Sequence, residues 1–291
     1  MFRCTFSLLF LLCLSCTLSA QAQLLAGRVV AEGSGVPVAF ATIGVKGKPV
    51  GTTADASGSF SFQAPATVSA TDSVIISCIG YRALRLTIAA LSKPAAVWPL
   101  QPAKQALQEV QVRHRQVTPA IIGRNSKGGT ARWSTSIRDV TSVASDERGW
   151  EVSTILPIRQ SCYLDAFSVY IEQNGFQRIR LRFTLYAVEG GKPTKSLLTN
   201  DIQFTIPSQQ TGWSSVDLSP YNLHLPKGQT VAVGVQWLQG EKLPEATQAF
   251  GGPGAFPSVA HRVAVRNKSE DEWRVLPINV SMYLNVQQYK E

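Results

Sequence analysis

The sequence predicts an all-β protein made of two β-sandwich domains. Short apolar runs alternate with polar residues and are separated by Gly, Pro, Asn, Asp and Ser, the pattern of half-buried strands. Helical periodicity is almost absent. Because successive side chains of a strand point to opposite faces, each run has one inward and one outward face. Two packed antiparallel sheets in each half of the chain satisfy this pattern.

Four stretches show the alternation most clearly, and each predicts one strand with an apolar inner face. Their inward positions are Leu84, Leu86 and Ile88; Ile179, Leu181, Phe183 and Leu185; Val231, Val233, Val235 and Trp237; and Val280, Met282, Leu284 and Val286. Trp237 is therefore predicted to lie in the core. Arg178, Arg180 and Arg182 take the alternate positions of the second stretch and are predicted to share the outward face.

Residues 1–22 have the pattern of a secretory signal peptide. Arg3 precedes the apolar run Phe6–Leu14, and Ala20–Gln21–Ala22 supplies the small residues of a cleavage site. The run is too short to span a membrane, and no other stretch is long and apolar enough. In a competing interpretation Cys16 is the lipidated residue of a lipoprotein signal. We expect an exported protein located in the periplasm, at the outer membrane or outside the cell.

The distribution of charge argues against nucleic acid as a partner. The net charge is +9, but the 28 Lys and Arg residues are dispersed. Nucleic-acid binding needs clustered positive charge, so an anionic membrane or polysaccharide surface is the better match.

Cys78 and Cys162 are the two cysteines beyond the signal peptide, one in each half. They form neither a disulfide framework nor a zinc site and are predicted to be free, buried thiols.

Residues 113–135 are predicted to be a linker, because the alternation stops and Pro119, Gly123, Gly128 and Gly129 occur there. The predicted domains are therefore residues 23–112 and 136–291. About eight short strands are expected in the second, as in a jelly roll.

Several motifs of the first domain occur in a recognisable order: G-x-V, G-x-P-V, G-T-x-x-D-x-x-G-x-F and I-G-Y. The matching residues are Gly27, Val29, Gly35, Pro37, Val38, Gly51, Thr52, Asp55, Gly58, Phe60, Ile79, Gly80 and Tyr81. With these motifs the segment resembles the carboxypeptidase-regulatory-like domain. The resemblance implies a seven-stranded, prealbumin-like sandwich without catalytic activity, of a kind found on envelope proteins of Bacteroidetes-type bacteria.

We find no catalytic, metal or cofactor motif in the sequence. None of His114, His224 and His261 begins the H-x-x-E pair of a zinc peptidase, and G-x-S-x-G does not occur. The segment Gly251–Gly254 is glycine-rich but lacks the Lys and Ser/Thr of a phosphate-binding loop, so it is predicted to be an ordinary loop. The sequence therefore predicts a protein that is not an enzyme.

Aromatic residues are the remaining candidates for a site. Trp150, Trp213, Tyr221 and Trp273 are predicted near strand ends or turns, where aromatic rings can stack on sugars. The competing interpretation is partly buried packing at the ends of the sandwich. The leading hypothesis is a non-catalytic, envelope-associated binding or scaffolding protein with an envelope protein or polysaccharide as partner. The alternative is a carbohydrate-binding surface protein that uses the second sandwich.

Overall fold

The computed structural model describes residues 22–94, 96–103, 116–136, 148–243, 249–259 and 261–290. These residues are mostly in strands arranged in several sheets with sandwich-like packing, which confirms the all-β class. Almost all of the predicted signal peptide, and the cysteine considered for lipidation, lie outside these ranges. Within them, no helix combines the length and apolar character needed to cross a membrane.

Within the described residues, the N-terminal unit contains seven strands and a one-turn helix. They are β1 (Gln23–Ala31), β2 (Thr42–Val45), β3 (Gly51–Thr53), β4 (Ser59–Ala64), β5 (Ser73–Ser77), β6 (Leu84–Thr87), α1 (Ile88–Leu91) and β7 (Val97–Leu100). The strands form two sheets, in the orders β4-β1-β7 and β3-β2-β5-β6, which enclose one apolar core. The predicted alternation through Ile88 ends early, because the Thr87 hydroxyl accepts a hydrogen bond from Ala90 N at 3.2 Å and caps α1.

The C-terminal unit contains more strands than the eight expected, several of them very short. They are β8 (Val117–Gly123), β9 (Ala131–Ser136), β10 (Glu151–Pro157), β11 (Cys162–Ile171), β12 (Gln173–Asn174), β13 (Phe176–Glu189), β14 (Lys192–Ser196), β15 (Gln203–Pro207), β16 (Gly212–Asp217), β17 (His224–Leu225), β18 (Thr230–Lys242), β19 (Ala249–Ala255), β20 (Arg262–Arg266), β21 (Arg274–Leu276), β22 (Asn279–Val280) and β23 (Met282–Tyr289).

These strands form three sheets. Sheet I has the order β14-β13-β18-β10-β20-β21, with β15 also paired to β13. Sheet II has the order β16-β11-β23-β8, with β17 paired to β11, and the small sheet III joins β12, β19, β22 and β9. The main core lies between sheets I and II, where the rings of Phe167 and Phe183 are 5.1 Å apart. Trp237 is fully buried in this core, as predicted.

The stretch predicted to be a linker contains paired strands. Within residues 113–135 the structure has β8, which pairs with β23, and most of β9, which pairs with β19. Most residues of β8 are exposed or half-buried, so its sequence lacks a clear apolar alternation. Gly123 has a φ of 118°, and a Cβ there would lie 2.5 Å from Met282 O. This glycine permits close strand pairing instead of a flexible connection.

The glycine-rich segment Gly251–Gly254 is a strand and not the predicted loop. It forms the centre of β19 and is buried. A Cβ on Gly251 would lie 2.2 Å from Trp133 O, and one on Gly252 would lie 2.2 Å from Tyr170 O. The glycines therefore allow neighbouring backbones to approach β19 from both faces.

The two units pack directly against each other. Gly47 N donates to Glu270 O at 2.8 Å, and Arg182 Nη2 donates to Phe40 O at 3.0 Å. Gly44 on β2 faces the Glu270 side chain so closely that a Cβ would lie 2.7 Å from Glu270 Cγ. These contacts connect the β2 region of the N-terminal unit to the outer face of sheet I.

Replacing Gly44 with alanine is expected to weaken this interface, lowering the free energy of unfolding by roughly 1–3 kcal/mol, the usual cost of overpacking. The added methyl group would also lie 3.1 Å from Glu270 N, where the backbone has little room to move. Chemical denaturation of the full chain measures the effect. Gly128→Ala is the matched control because a Cβ there meets nothing within 4 Å. Equal effects of the two substitutions would show that the contact at Gly44 is unimportant.

Candidate ligand site between the two units

A cleft of about 770 Å³ lies between the N-terminal unit and sheet I. One wall is the end of β5 and the residues after it, including Ile79, Gly80 and Tyr81. These three residues are the I-G-Y motif singled out in the sequence. The opposite side consists of outward side chains of sheet I and of residues 194–196, 198 and 199. Both units therefore contribute to one concave site.

At the floor of the cleft a row of four polar side chains crosses four neighbouring strands; three of them line the cleft, and the fourth is completely buried beneath it. Arg182 on β13 pairs in register with Gln236 on β18, which pairs with Glu151 on β10, which pairs with Arg266 on β20. We call these four residues the floor row. Arg182 Nη1 donates to Gln236 Oε1 at 2.6 Å, and Gln236 Nε2 donates to Glu151 Oε1 at 2.8 Å. The row is continuous because cross-strand neighbours lie side by side on one sheet face.

Glu151 is the central acceptor of the floor row and is completely buried. Its carboxylate accepts from Gln236, from Arg266 Nη2 at 2.7 Å and from the Tyr186 hydroxyl at 2.8 Å. Burial, together with the charge of Glu151, raises the pKa of Tyr186 and keeps the phenol protonated. Burial lowers the pKa of Arg266, but attraction to Glu151 outweighs this and the pKa is raised.

Arg182 connects the floor row to the N-terminal unit. Its side chain is 4% exposed, and its Nε and Nη2 atoms donate to the two carboxylate oxygens of Asp201 at 2.5 and 2.8 Å. Nη2 also donates to the carbonyl of Phe40, a non-glycine residue with a φ of 55°. A left-handed conformation is unfavourable for such a residue and persists only where its surroundings hold it. Here the guanidinium of Arg180 also lies 5.0 Å from the centre of the Phe40 ring.

Glu270 stands on the cleft wall and differs from the other acidic groups. No hydrogen bond or ion pair to its carboxylate occurs among the residues described. The pKa of Glu270 is raised above its usual value, chiefly by burial and also by the negative charge of Glu151. The positive charges of Arg266, Arg85 and Lys46 act in the opposite direction but do not cancel the shift. The site therefore contains one partly buried carboxylate that receives no hydrogen bond from the part of the chain that the structure describes.

Glu270→Gln is expected to stabilise the protein near neutral pH. Because its pKa is raised on folding, the carboxyl binds a proton more tightly in the folded state. Stability therefore falls as the pH rises from the ordinary pKa of 4.5 through the higher pKa of the folded state. Glutamine does not titrate, so the variant does not lose stability in this way as the pH rises. Thermal unfolding should give a higher Tm for the variant at about pH 7 and a smaller difference at about pH 4. Exposed Glu272→Gln is the control; a lower Tm for Glu270→Gln at neutral pH would contradict the expectation.

The four aromatic residues predicted as ligand candidates are all half-buried, and each packs with different neighbours. Trp150 stacks on Trp133 with ring centres 6.0 Å apart, and Tyr221 packs against the main core. The ring of Trp213 contacts Tyr170 and Tyr283 on the outer face of sheet II. Arg266 lies over the ring of Trp273 at 4.4 Å, and the Trp273 ring contacts that of Tyr186, so this tryptophan supports the floor of the cleft.

The floor row was not identified from the sequence. Arg182 and Gln236 occupy the positions that alternate with core residues, where polar side chains normally face solvent. Glu151 and Arg266 belong to no motif. Both predicted thiols are free: Cys162 is buried, whereas Cys78 is partly buried on the cleft wall. Burial raises the pKa of each thiol to about 11, so neither is a reactive thiolate.

The fold and cleft define a two-unit β-sandwich protein with a concave polar site. Among the described residues, no group of three or more His, Cys, Asp and Glu is arranged to hold a metal ion. Residues 25–112 match the family model described as CarboxypepD_reg-like domain, a non-catalytic β-sandwich of regulatory or binding type. The match supports the domain family that the motifs of the N-terminal unit indicated.

Two further comparisons concern the whole chain. No curated protein matches it. A solved chain from "Structure of infectious bursal disease virus Gx strain" is similar over 92% of this chain at 10% identity, with a TM-score of 0.26. The match spans 64% of that viral chain's length.

Proposed function

We propose that this protein is a non-catalytic binding protein of the cell envelope and that its ligand occupies the cleft between the two units. The observation that carries the proposal is a concave site with walls from both units and a floor of mutually paired charges. Arg182 pairs with Asp201, and Arg266 pairs with Glu151. A general acid or base must reach a substrate proton and titrate near the working pH. The floor charges are paired with each other, which supports a role in structure and recognition.

The envelope location is part of the proposal and is supported by the signal-peptide pattern of residues 1–22. The regulatory or binding character of the matched domain family supports the non-catalytic part. In this protein the I-G-Y segment contributes a wall of the cleft, which supports a direct part of the N-terminal unit in binding.

A substitution that fills the cleft tests the proposal. Ala83 is exposed and lines the cleft, so Ala83→Trp narrows it without entering the core. Ala89→Trp is the matched control, because Ala89 is also exposed and lies in α1. Thermal unfolding is measured with fractions of small molecules from an envelope extract. A ligand that binds only the folded state raises Tm. We expect such fractions to stabilise wild type and the control but not Ala83→Trp.

Two results would contradict the proposal. Equal stabilisation of all three proteins would place the ligand outside the cleft. Turnover of peptide, ester or glycoside substrates by wild type, abolished by Ala83→Trp, would show that the cleft is an active site.

A carbohydrate-binding surface on sheet II is the second candidate. Trp213 on β16 lies opposite Tyr170 on β11, with ring centres 5.2 Å apart, and is 4.7 Å from the ring of Tyr283. The three half-buried rings form an aromatic cluster on a face that the main core does not use. Glycan-array binding that Trp213→Ala abolishes would support this candidate. Tyr163→Ala is the control, since Tyr163 is 37% exposed and lies on β11 outside the cluster. Equal loss in both variants would argue against it.

A further inference from the structure

The cleft also indicates the chemistry of its ligand. We infer that it takes a neutral, hydroxyl-rich small molecule of the sugar class, whose hydroxyl groups donate hydrogen bonds to the Glu270 carboxylate. The inference rests on the proposed binding function and specifies the ligand of the same site.

The charges around the cleft balance. The two arginines of the floor row are each paired with a carboxylate, Asp201 or Glu151, at hydrogen-bonding distance. The remaining charged residues among the described part of the lining are Lys195 and Glu270, which have opposite signs. A buried site binds a charged ligand well when it offers an excess of the opposite charge. Among the lining residues that the structure describes there is no such excess, which favours a neutral ligand.

The groups that remain available include both acceptors and donors. The Glu270 carboxylate accepts no hydrogen bond from any residue the structure describes. The ammonium group of Lys195 is a donor, and the Ser196 hydroxyl, which accepts from a backbone N–H, can also donate. The hydroxyls of Ser77 and Thr184 each bond to another hydroxyl of the protein and keep a lone pair that can accept. A sugar hydroxyl both donates and accepts, so a polyol can satisfy this mixed set without leaving a charge unpaired.

Two contacts with the N-terminal unit fix the position of Glu270 on the cleft wall. Its backbone carbonyl accepts from Gly47 N, and its side chain lies against the backbone of Gly44. The surrounding protein partly desolvates the carboxylate, which disfavours its charged form in the absence of a ligand. A group kept at such a cost on the wall of a cleft is a candidate for binding. A ligand that donates to it removes the penalty.

The rest of the lining matches the apolar faces and the size of a sugar. Ile79, Tyr81 and Leu198 provide apolar surface for the C–H faces of a ring. The volume of about 770 Å³ is within the range of small-molecule sites, roughly 300–1,000 Å³. A mono- or disaccharide is therefore the appropriate size of probe.

Calorimetric titration of the full chain with defined sugars tests the inference. The neutral probes are glucose, galactose, mannose, N-acetylglucosamine, maltose and cellobiose, and the charged counterparts are glucuronic acid and glucosamine. We expect at least one neutral probe to bind wild type and the charged counterparts to bind more weakly. Glu270→Gln should weaken that binding about tenfold or more, the effect of losing a hydrogen bond to a charged group. Glu272→Gln, at an exposed carboxylate two residues away, should leave it unchanged.

The stability of Glu270→Gln separates binding from structure. Because this variant is expected to be at least as stable as wild type near neutral pH, lost affinity without lost Tm indicates direct contact with the ligand. Preferential binding of glucuronic acid or glucosamine would overturn the inference. So would sugar binding that Glu270→Gln leaves intact and Trp213→Ala abolishes, since the sugar would then lie on sheet II.

If no sugar binds wild type, the inference fails. The proposed binding function then still stands or falls on the separate Ala83→Trp comparison, which uses extract fractions of any chemistry.

Discussion

Glu151→Ala is expected to lower the free energy of unfolding by about 3–5 kcal/mol, the cost of removing one partner from a buried ion pair. The substitution removes the acceptor of three donors and leaves Arg266, whose side chain is 13% exposed, without its carboxylate. Desolvation of the remaining groups is then no longer compensated. Denaturant-induced unfolding measures the loss directly.

Glu189→Ala is the control for this experiment. Glu189 is an exposed carboxylate at the end of β13, so its removal should change stability by no more than about 0.5 kcal/mol. Glu151→Gln keeps the shape and an acceptor but not the charge, and it should lie between the two. A loss under about 1 kcal/mol for Glu151→Ala would mean that water replaces the carboxylate in the floor row.

Arg182→Ala is expected to have a similarly large effect, about 3–5 kcal/mol, and in addition to loosen the contact between the two units. It removes the partner of Asp201, the donor to Gln236 and the hydrogen bond to Phe40 O. Amide hydrogen exchange at Gly47 reports on the interface, because its N–H donates to Glu270 O. Faster exchange there is expected in addition to the lower unfolding free energy.

Arg178→Ala is the matched control, on the same strand and at the same alternate positions. Arg178 is 56% exposed and lies 3.8 Å from Glu241, and such a surface pair contributes little. Arg182→Lys keeps the charge but loses the fork that binds both oxygens of Asp201, so it should recover only part of the stability. Equal effects of Arg178→Ala and Arg182→Ala would show that burial of Arg182 has no energetic consequence.

The sequence by itself determined the fold class and much of the core. Alternation over Ile179–Leu185 and Val231–Trp237 predicted two strands whose apolar face is buried, and both predictions are confirmed. The turn and strand motifs of the N-terminal unit identified its domain family, which the match at residues 25–112 supports. These features are local: a period of two and a turn residue can be recognised within a few neighbouring positions.

Only the tertiary structure decided whether the polar face of a strand is exposed to solvent or covered by the other unit. Arg178 and Arg182 have the same place in the pattern, yet the first is solvated and the second is buried beneath the N-terminal unit. The alternation pattern does not distinguish a polar strand face that is exposed to water from one that is covered by protein. On the covered face, charged partners on neighbouring strands take the place of water. The partners are distant in the chain: Glu151 and Gln236 are 85 residues apart, and Arg182 and Phe40 are 142 residues apart. No local period reports a contact over that distance, so the cleft and its floor emerge only when the strands pair and the two units meet.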